Sequence, residues 1–229
     1  MEILQHMKQS EERPDVRHFT AVVDACGKAG DWIDACEVFQ QMQLEGIKPS
    51  APTWGALLNT IGTAGHVEKM LAKYKEMCTI GPRPTVITMT TLLDHAGAGE
   101  VDIFNDLWRE MHYRQLVPDV KSYNTRINCY ATVKDPGKAE EVLAEMIQSA
   151  AITLDAISFN SLMKAYYCSG RLNEAELVID RMRAAGVQPT ADIWKGIIHA
   201  ADALDDVKKA DQLYADALSL GTIDLFKPW

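Results

Sequence analysis

Apolar residues in this chain fall into pairs of short helical stripes, broken by glycine and closed by proline. In 156–170, Ile157, Phe159, Leu162, Met163, Tyr166 and Tyr167 lie close to helical spacing and predict a helix. Gly170 ends it, because glycine enters the left-handed conformation without a Cβ penalty. Leu172, Ala175, Val178, Ile179 and Met182 then share one face of a second predicted helix, which Gly186 stops. Pro189 keeps that helix from running on, since proline lacks the backbone donor and clashes with the preceding turn.

The same hairpin returns along the chain. Met7, Met42, Met77, Met111, Met146 and Met182 are spaced by 34 to 36 residues, and one further step of 35 lands on Ala217. A second ladder of mostly bulky residues, Phe19, Trp54, Met89, Tyr123, Phe159 and Trp194, keeps nearly the same register. Gly46, Gly81 and Gly186 each open a G-x-x-P segment, while Gly30, Gly65 and Gly99 share the inter-helix place of Gly170. Ala35, Ala139, Ala175 and Ala210 mark where the two helices of a hairpin approach closely. The units are 16–50, 51–85, 86–119, 120–155, 156–190 and 191–225, with 1–15 a partial repeat and 226–229 a tail. A lone hairpin cannot bury its apolar face, whereas stacked neighbours can. The expectation is an all-α solenoid of helix-turn-helix repeats forming a single array over 1–229, with both ladders in its core.

Composition narrows the function classes. The 229 residues are 47% hydrophobic and 24% charged, ordinary for a globular chain, and no run of about 18 apolar residues suggests a membrane span. The opening "MEILQHMKQSEE" reads as neither a signal nor a transit peptide. Cys26, Cys36, Cys78, Cys129 and Cys168 form no C-x-x-C pair and are expected to be reduced core thiols. "HVE" at 66–68 lacks the P-C-x-x-C half of a zinc-deaminase signature, and "GAGE" at 97–100 has neither the preceding strand nor the G-K-[ST] of a phosphate loop. The six histidines have no ligand spacing. His18 and His66 are expected in solvent and His199 partly buried. No catalytic constellation, cofactor or metal is expected.

The period of 35 fits two helical-hairpin families. No unit shows the W-x₂-L-G-x₂-Y string of tetratricopeptide repeats. "VVDACGKAGDWIDACEVFQQMQLEGIKPS", "SYNTRINCYATVKDPGKAEEVLAEM" and "SFNSLMKAYYCSGRLNEAELVIDRMRAAGVQPT" instead resemble pentatricopeptide repeats over essentially all of 1–225. The resemblance implies a right-handed α-solenoid superhelix that binds single-stranded RNA, one base per repeat. It implies that the fifth residue of the first helix and the last residue of the unit read the base, while the second residue clamps it.

By this resemblance Thr90 with Asp119 implies guanine, Asn124 with Asp155 uracil, and Asn160 with Thr190 a pyrimidine. Thr20 with Ser50 leans towards purine. Ile87 and Ile157 fit the clamp, and Lys121 at the same place adds a phosphate contact. The implied target has a G-U-pyrimidine core. Gly55, Pro52 and Lys195 depart from the pattern, and the last unit, with Asp192 at its clamp and Asp205 where glycine is usual, has the look of a terminal cap. Net charge is −9. The first thirteen residues of the six units together carry +2, which leaves the acids on the second helices and connections. A mildly positive face on an acidic body predicts weak non-specific RNA binding.

The implied role is non-enzymatic: RNA processing, stabilisation or translation in a chloroplast or mitochondrion, alongside other proteins of an RNA-processing complex. The alternative is a protein-interaction scaffold using the same concave surface. The tail is expected to pack on the last hairpin through Leu225, Phe226 and Trp229.

Overall fold

A computed structural model describes residues 13–97, 100–149, 152–219 and 221. Met7, Gly99 and the tail residues Leu225, Phe226 and Trp229 lie outside the described residues. Among those described there are twelve helices and no strand. The first helices of the six repeats are α1 (Val16–Ala29), α3 (Ala51–Thr63), α5 (Val86–Ala96), α7 (Val120–Thr132), α9 (Ala156–Cys168) and α11 (Ala191–Ala203). The second helices are α2 (Trp32–Leu44), α4 (Val67–Ile80), α6 (Val101–Tyr113), α8 (Pro136–Gln148), α10 (Leu172–Ala184) and α12 (Val207–Ser219). The first helices thus begin at residues 16, 51, 86, 120, 156 and 191. The helices divide into two compact units, residues 13–96 with 105–117, and residues 97–104 with 118–221.

Local chemistry sets the helix ends. Asp15, Ser50, Asp119 and Asp155 precede first helices in extended backbone, and each side chain accepts a backbone N–H of the opening turn. Inside the hairpins one left-handed residue makes the turn: Gly30, Gly65 and Gly170 all have φ 78°. The two bonds are alike each time, Gly30 N–H to Gly27 O at 3.1 Å and Asp31 N–H to Cys26 O at 2.9 Å in the first repeat. Lys134 (φ 58°) and Asp205 (φ 57°) make the same turn without glycine, and Gln115 (φ 59°) does so after α6.

Gly81 departs from expectation. Gly46 and Gly186 stop their helices in the left-handed region (φ 74° and 77°), but Gly81 is extended at φ −97°. What requires glycine there is space. A Cβ would lie 2.8 Å from Met77 O and 2.9 Å from Trp54 Nε1.

Both ladders are buried. Met42, Met77, Met111 and Met146 are fully enclosed and Met182 nearly so, with Ala217 completing the series. Phe19, Trp54, Met89, Tyr123, Phe159 and Trp194 are buried beside them. Ala35, Ala139, Ala175 and Ala210 are buried too. Within each compact unit, first helices stack on first helices: α1 on α3 and α3 on α5, then α7 on α9 and α9 on α11. The second helices α2, α4, α8, α10 and α12 pack on their own first helices, and α2, α4, α8 and α10 pack on the next one as well. Gly27 and Gly62 set the close approach of the first three first helices. A Cβ on Gly27 would meet Thr60 Oγ1 at 2.3 Å, and one on Gly62 would meet His95 Cδ2 at 2.2 Å.

Three sequence expectations are corrected. Only Cys129 is a buried thiol; Cys26, Cys36 and Cys168 are half-buried and Cys78 is exposed. His66 is half-buried, its ring edge-on to Trp32 at 4.5 Å, because it opens α4 beside the start of α2. His199 is exposed, since it sits on the outward row of α11.

Candidate nucleic-acid interface

Stacking the first helices brings their second and fifth residues into rows, next to the last residue of each unit. In the first compact unit these rows line a groove of about 1050 Å³ across α1, α3 and α5. Thr20, Ser50, Pro52, Gly55, Thr85 and Ile87 all border it, so the fifth, last and second positions of these repeats share one surface. At α3 the groove is lined by Ala51, Pro52, Gly55 and Ala56, whose side chains are small or absent.

Each predicted site residue has a definite place. Ile87 and Ile157 are exposed to 77% and 60%, so the second residue of α5 and α9 offers an apolar side chain to solvent. Lys121 is exposed at the same position of α7. Ser50, Asp119, Asp155 and Thr190 all sit immediately before a first helix, and three of them spend a side-chain oxygen on capping it. Thr90 is buried and its hydroxyl donates to Val86 O at 2.9 Å. Thr90 and Asp119 fall in different compact units.

Asn124 and Asp155 are brought together: Asn124 Nδ2 donates to Asp155 Oδ1 at 3.1 Å. The opposite side of the amide is also held, with Ser158 Oγ 2.7 Å from Asn124 Oδ1. The carboxylate fixes which end of the amide is nitrogen, because only Nδ2 can donate to it. One amide proton and one carbonyl lone pair remain, a donor beside an acceptor. Thr20 and Ser50 are linked less directly. Thr20 Oγ1 lies 2.7 Å from Thr53 Oγ1, which lies 2.9 Å from Ser50 Oγ. Thr20 Oγ1 also donates to Val16 O at 2.7 Å, so the proton of its hydroxyl is committed and it accepts from Thr53. Asn160, half-buried, has no side-chain hydrogen-bond partner among the described residues, and Thr190 makes no side-chain cap.

Sequence reasoning missed the third residue of the first helix. Thr53, Thr88, Ser122 and Ser158 occupy it, and all four are buried hydroxyls. Each bonds the capping residue just ahead of its own helix: Thr53 with Ser50, Thr88 with Thr85, Ser122 with Asp119 and Ser158 with Asp155. Thr53 and Ser158 also reach back to the fifth residue of the preceding repeat. The signal was present as S-x-x-T, T-x-x-T, D-x-x-S and D-x-x-S at four successive boundaries, the spacing of a helix-capping pair. The next boundary is T-x-x-I, and Ile193 is a buried apolar residue.

Electrostatics on this face are restrained. Lys28 is paired with Asp24 at 2.7 Å, and Lys164 Nζ donates to Asn128 Oδ1 at 3.0 Å. Behind the face, burial and a 3.0 Å bond to Glu145 push the Tyr123 hydroxyl up to about 12, so it stays a neutral donor. Among the described residues no group of three or more His, Cys, Asp or Glu could hold a metal ion, and no helix is long and apolar enough to cross a membrane. The surface offers hydroxyls, amides and carboxylates to a hydrogen-bonding partner.

The chain is similar to several known proteins. Small ribosomal subunit protein mL103 (rPPR7) of Arabidopsis thaliana is 28% identical over 183 residues, 79% of this chain and 44% of that protein. A chloroplastic pentatricopeptide repeat-containing protein of the same plant is 27% identical over 82% of this chain and 25% of its own length, and a mitochondrial one 27% over 86% and 47%. The chain thus spans less than half the length of these curated relatives. Among solved structures, pentatricopeptide repeat protein PPR10 in complex with an 18-nucleotide psaJ RNA element superposes with a TM-score of 0.71 at 17% identity, covering 98% of this chain and 38% of that one. Nuclear proteinaceous RNase P 2 of A. thaliana gives 0.63 at 18% identity over 81% of this chain and 42% of its own. These likenesses show the fold, an α-solenoid of helical repeats. Residues 5–200 match the family model described as the pentacotripeptide-repeat region of PRORP, and with that match the chain belongs to the pentatricopeptide-repeat family.

Proposed function

We propose that this chain binds single-stranded RNA on the face formed by its first helices, one base per repeat, within a chloroplast or mitochondrion. The units 16–50 to 191–225 act in this reading as one array that protects, holds open or positions a transcript by occupancy, without chemistry of its own. The observation that carries it is the Asn124–Asp155 pair at 3.1 Å, with an amide whose donor and acceptor are fixed towards a base edge. Thr90 with Asp119 and Asn160 with Thr190 flank it in sequence, which gives a G-U-pyrimidine core. Ile87, Lys121 and Ile157, all exposed at the second position, clamp the bases or meet the phosphates. Thr20 and Ser50 supply a weaker contact to a purine. The fold is the one PPR10 presents to its 18-nucleotide element, and the relatives include chloroplastic and mitochondrial proteins. Paired lysines on this face and a net charge of −9 imply a small sequence-independent term, so specificity rests on base contacts.

The test is fluorescence anisotropy with short RNAs carrying a central GUC, a central GUU or adenine only, each at two salt concentrations. GUC and GUU should bind in preference to the adenine tract, and Asn124→Thr should move the middle preference from U towards G. Failure to bind any RNA at low salt would refute base reading and turn the search towards a protein partner for the same surface.

A further inference from the structure

The hydroxyl at the third position does more than cap a helix. At the boundary of repeats 120–155 and 156–190, Ser158 Oγ lies 2.7 Å from Asn124 Oδ1 and 3.0 Å from Asp155 Oδ1. It is fully buried and touches both members of the pair while facing no solvent itself. At the boundary of 16–50 and 51–85, Thr53 has the same place between Thr20 and Ser50. At the boundary of 156–190 and 191–225 the place is filled by Ile193, which can neither donate nor accept. There Asn160 has no side-chain partner among the described residues and Thr190 caps nothing through its side chain. One chain therefore contains the bridged arrangement and its natural deletion, each with asparagine as the fifth residue.

We infer that Ser158 is a positioning residue that sets base discrimination at the Asn124–Asp155 pair, and that Ile193 leaves Asn160 unable to tell one pyrimidine from the other. The inference rests on the reading of this face as an RNA-binding surface. An asparagine amide presents a donor and an acceptor that exchange places when the group turns by half a revolution. Asp155 opposes that turn through Nδ2, and Ser158 opposes it through Oδ1, so the bridged amide offers one orientation to a base. Asn160 has neither restraint. It can show its oxygen or its nitrogen to the same point in space, and so accepts bases of opposite hydrogen-bonding pattern. The second residue of the pair is affected as well. Asp155 Oδ1 accepts the Ser158 N–H at 2.9 Å, so one residue aligns both reading groups from the neighbouring repeat. The specificity of a repeat is in part written on the repeat that follows it.

The experiment uses the full chain, with anisotropy on RNAs varied to all four bases at the middle and following positions of the GUC core. The Asn124 side-chain amide is followed in parallel by NMR, as its proton exchange rate. Ser158→Ala should lower the preference for U at the middle position about fivefold, the worth of one neutral hydrogen bond, and speed exchange of the Asn124 amide. Ser158→Thr, which restores the hydroxyl, should recover both. Ile193→Thr should create a preference between U and C at the following position, where the parent chain takes either pyrimidine. If Ser158→Ala keeps the parental base preference, or Ile193→Thr leaves the following position indifferent between U and C, the inference is overturned while base reading stands. If the parent chain binds no RNA, the reading beneath it falls and the inference with it. Circular dichroism melts of each variant separate loss of fold from loss of preference. Should Ser158→Ala unfold, the gain of preference in Ile193→Thr decides the matter.

Discussion

Glu140→Gln is the perturbation whose consequences follow most fully from the structure. Glu140 lies on α8, and both of its oxygens receive the Arg181 guanidinium from α10, Nη2 to Oε2 at 3.0 Å. The Tyr166 hydroxyl of α9 donates to the same carboxylate at 2.8 Å. Three helices of two successive repeats meet at one charge. Burial alone would raise the Glu140 carboxyl, but the Arg181 and Tyr166 bonds outweigh it and hold the group below its ordinary value. Glutamine keeps an oxygen for Tyr166 and loses the ion pair. A hydrogen bond to a charged group is worth about 1.5–3 kcal/mol when sheltered, while exposed pairs give about 0.2–1 kcal/mol. With side-chain exposures of 43% for Arg181 and 29% for Glu140, the loss should fall between these ranges, about 1 kcal/mol. For a chain of this size that lowers Tm by about 2–4 °C. The sign of the pH dependence follows from the depressed folded value. The contribution is whole above the unfolded carboxyl value, about 4.3, and disappears as pH falls through the lower folded one. Urea midpoints of parent and variant should differ at pH 7 and converge towards pH 3. A gap of equal size at both would refute the assignment of the stabilisation to this ion pair.

Four further outcomes are expected. Lys134→Gly should raise stability by about 0.5 kcal/mol, since lysine at φ 58° pays a left-handed penalty that exceeds the extra chain entropy of glycine; an unchanged or lower urea midpoint would contradict this. Gly62→Ala should cost about 1–3 kcal/mol despite a better helix propensity, because the new methyl falls 2.2 Å from His95 Cδ2; a rise in Tm would show that the ring moves freely. Met146→Ala, which empties a fully enclosed position in the ladder, should cost about 2–5 kcal/mol by urea titration. Iodoacetamide at pH 8 should modify exposed Cys78 first by peptide mapping and spare Cys129, which is enclosed and pushed up to about 11 by burial, until the chain unfolds.

The linear sequence by itself determined the period, the helices and the core. Each depends on neighbours within one turn or one hairpin: helical spacing for the stripes, a capping side chain at Asp119 or Asp155, a left-handed residue at Gly30 or Gly170. Repetition then multiplied a weak local signal until two ladders could be read as one core. Lys134, Asp205 and Gln115 were less legible, because a turn geometry that glycine favours was imposed by the stacked hairpins on residues that do not favour it.

The tertiary structure alone decided what meets across a repeat boundary. Asn124, Asp155 and Ser158 are separated by up to 34 residues and come together only when α7 and α9 stack in one register. The closeness of Gly27 to Thr60, and the extended backbone at Gly81 beside Trp54, depend on the same spacing between helices. Periodicity shows that such faces must pack, but distances of a few tenths of an ångström between them follow from the whole set of side chains that share the interface. Those distances decide which amide is held and which is free to turn.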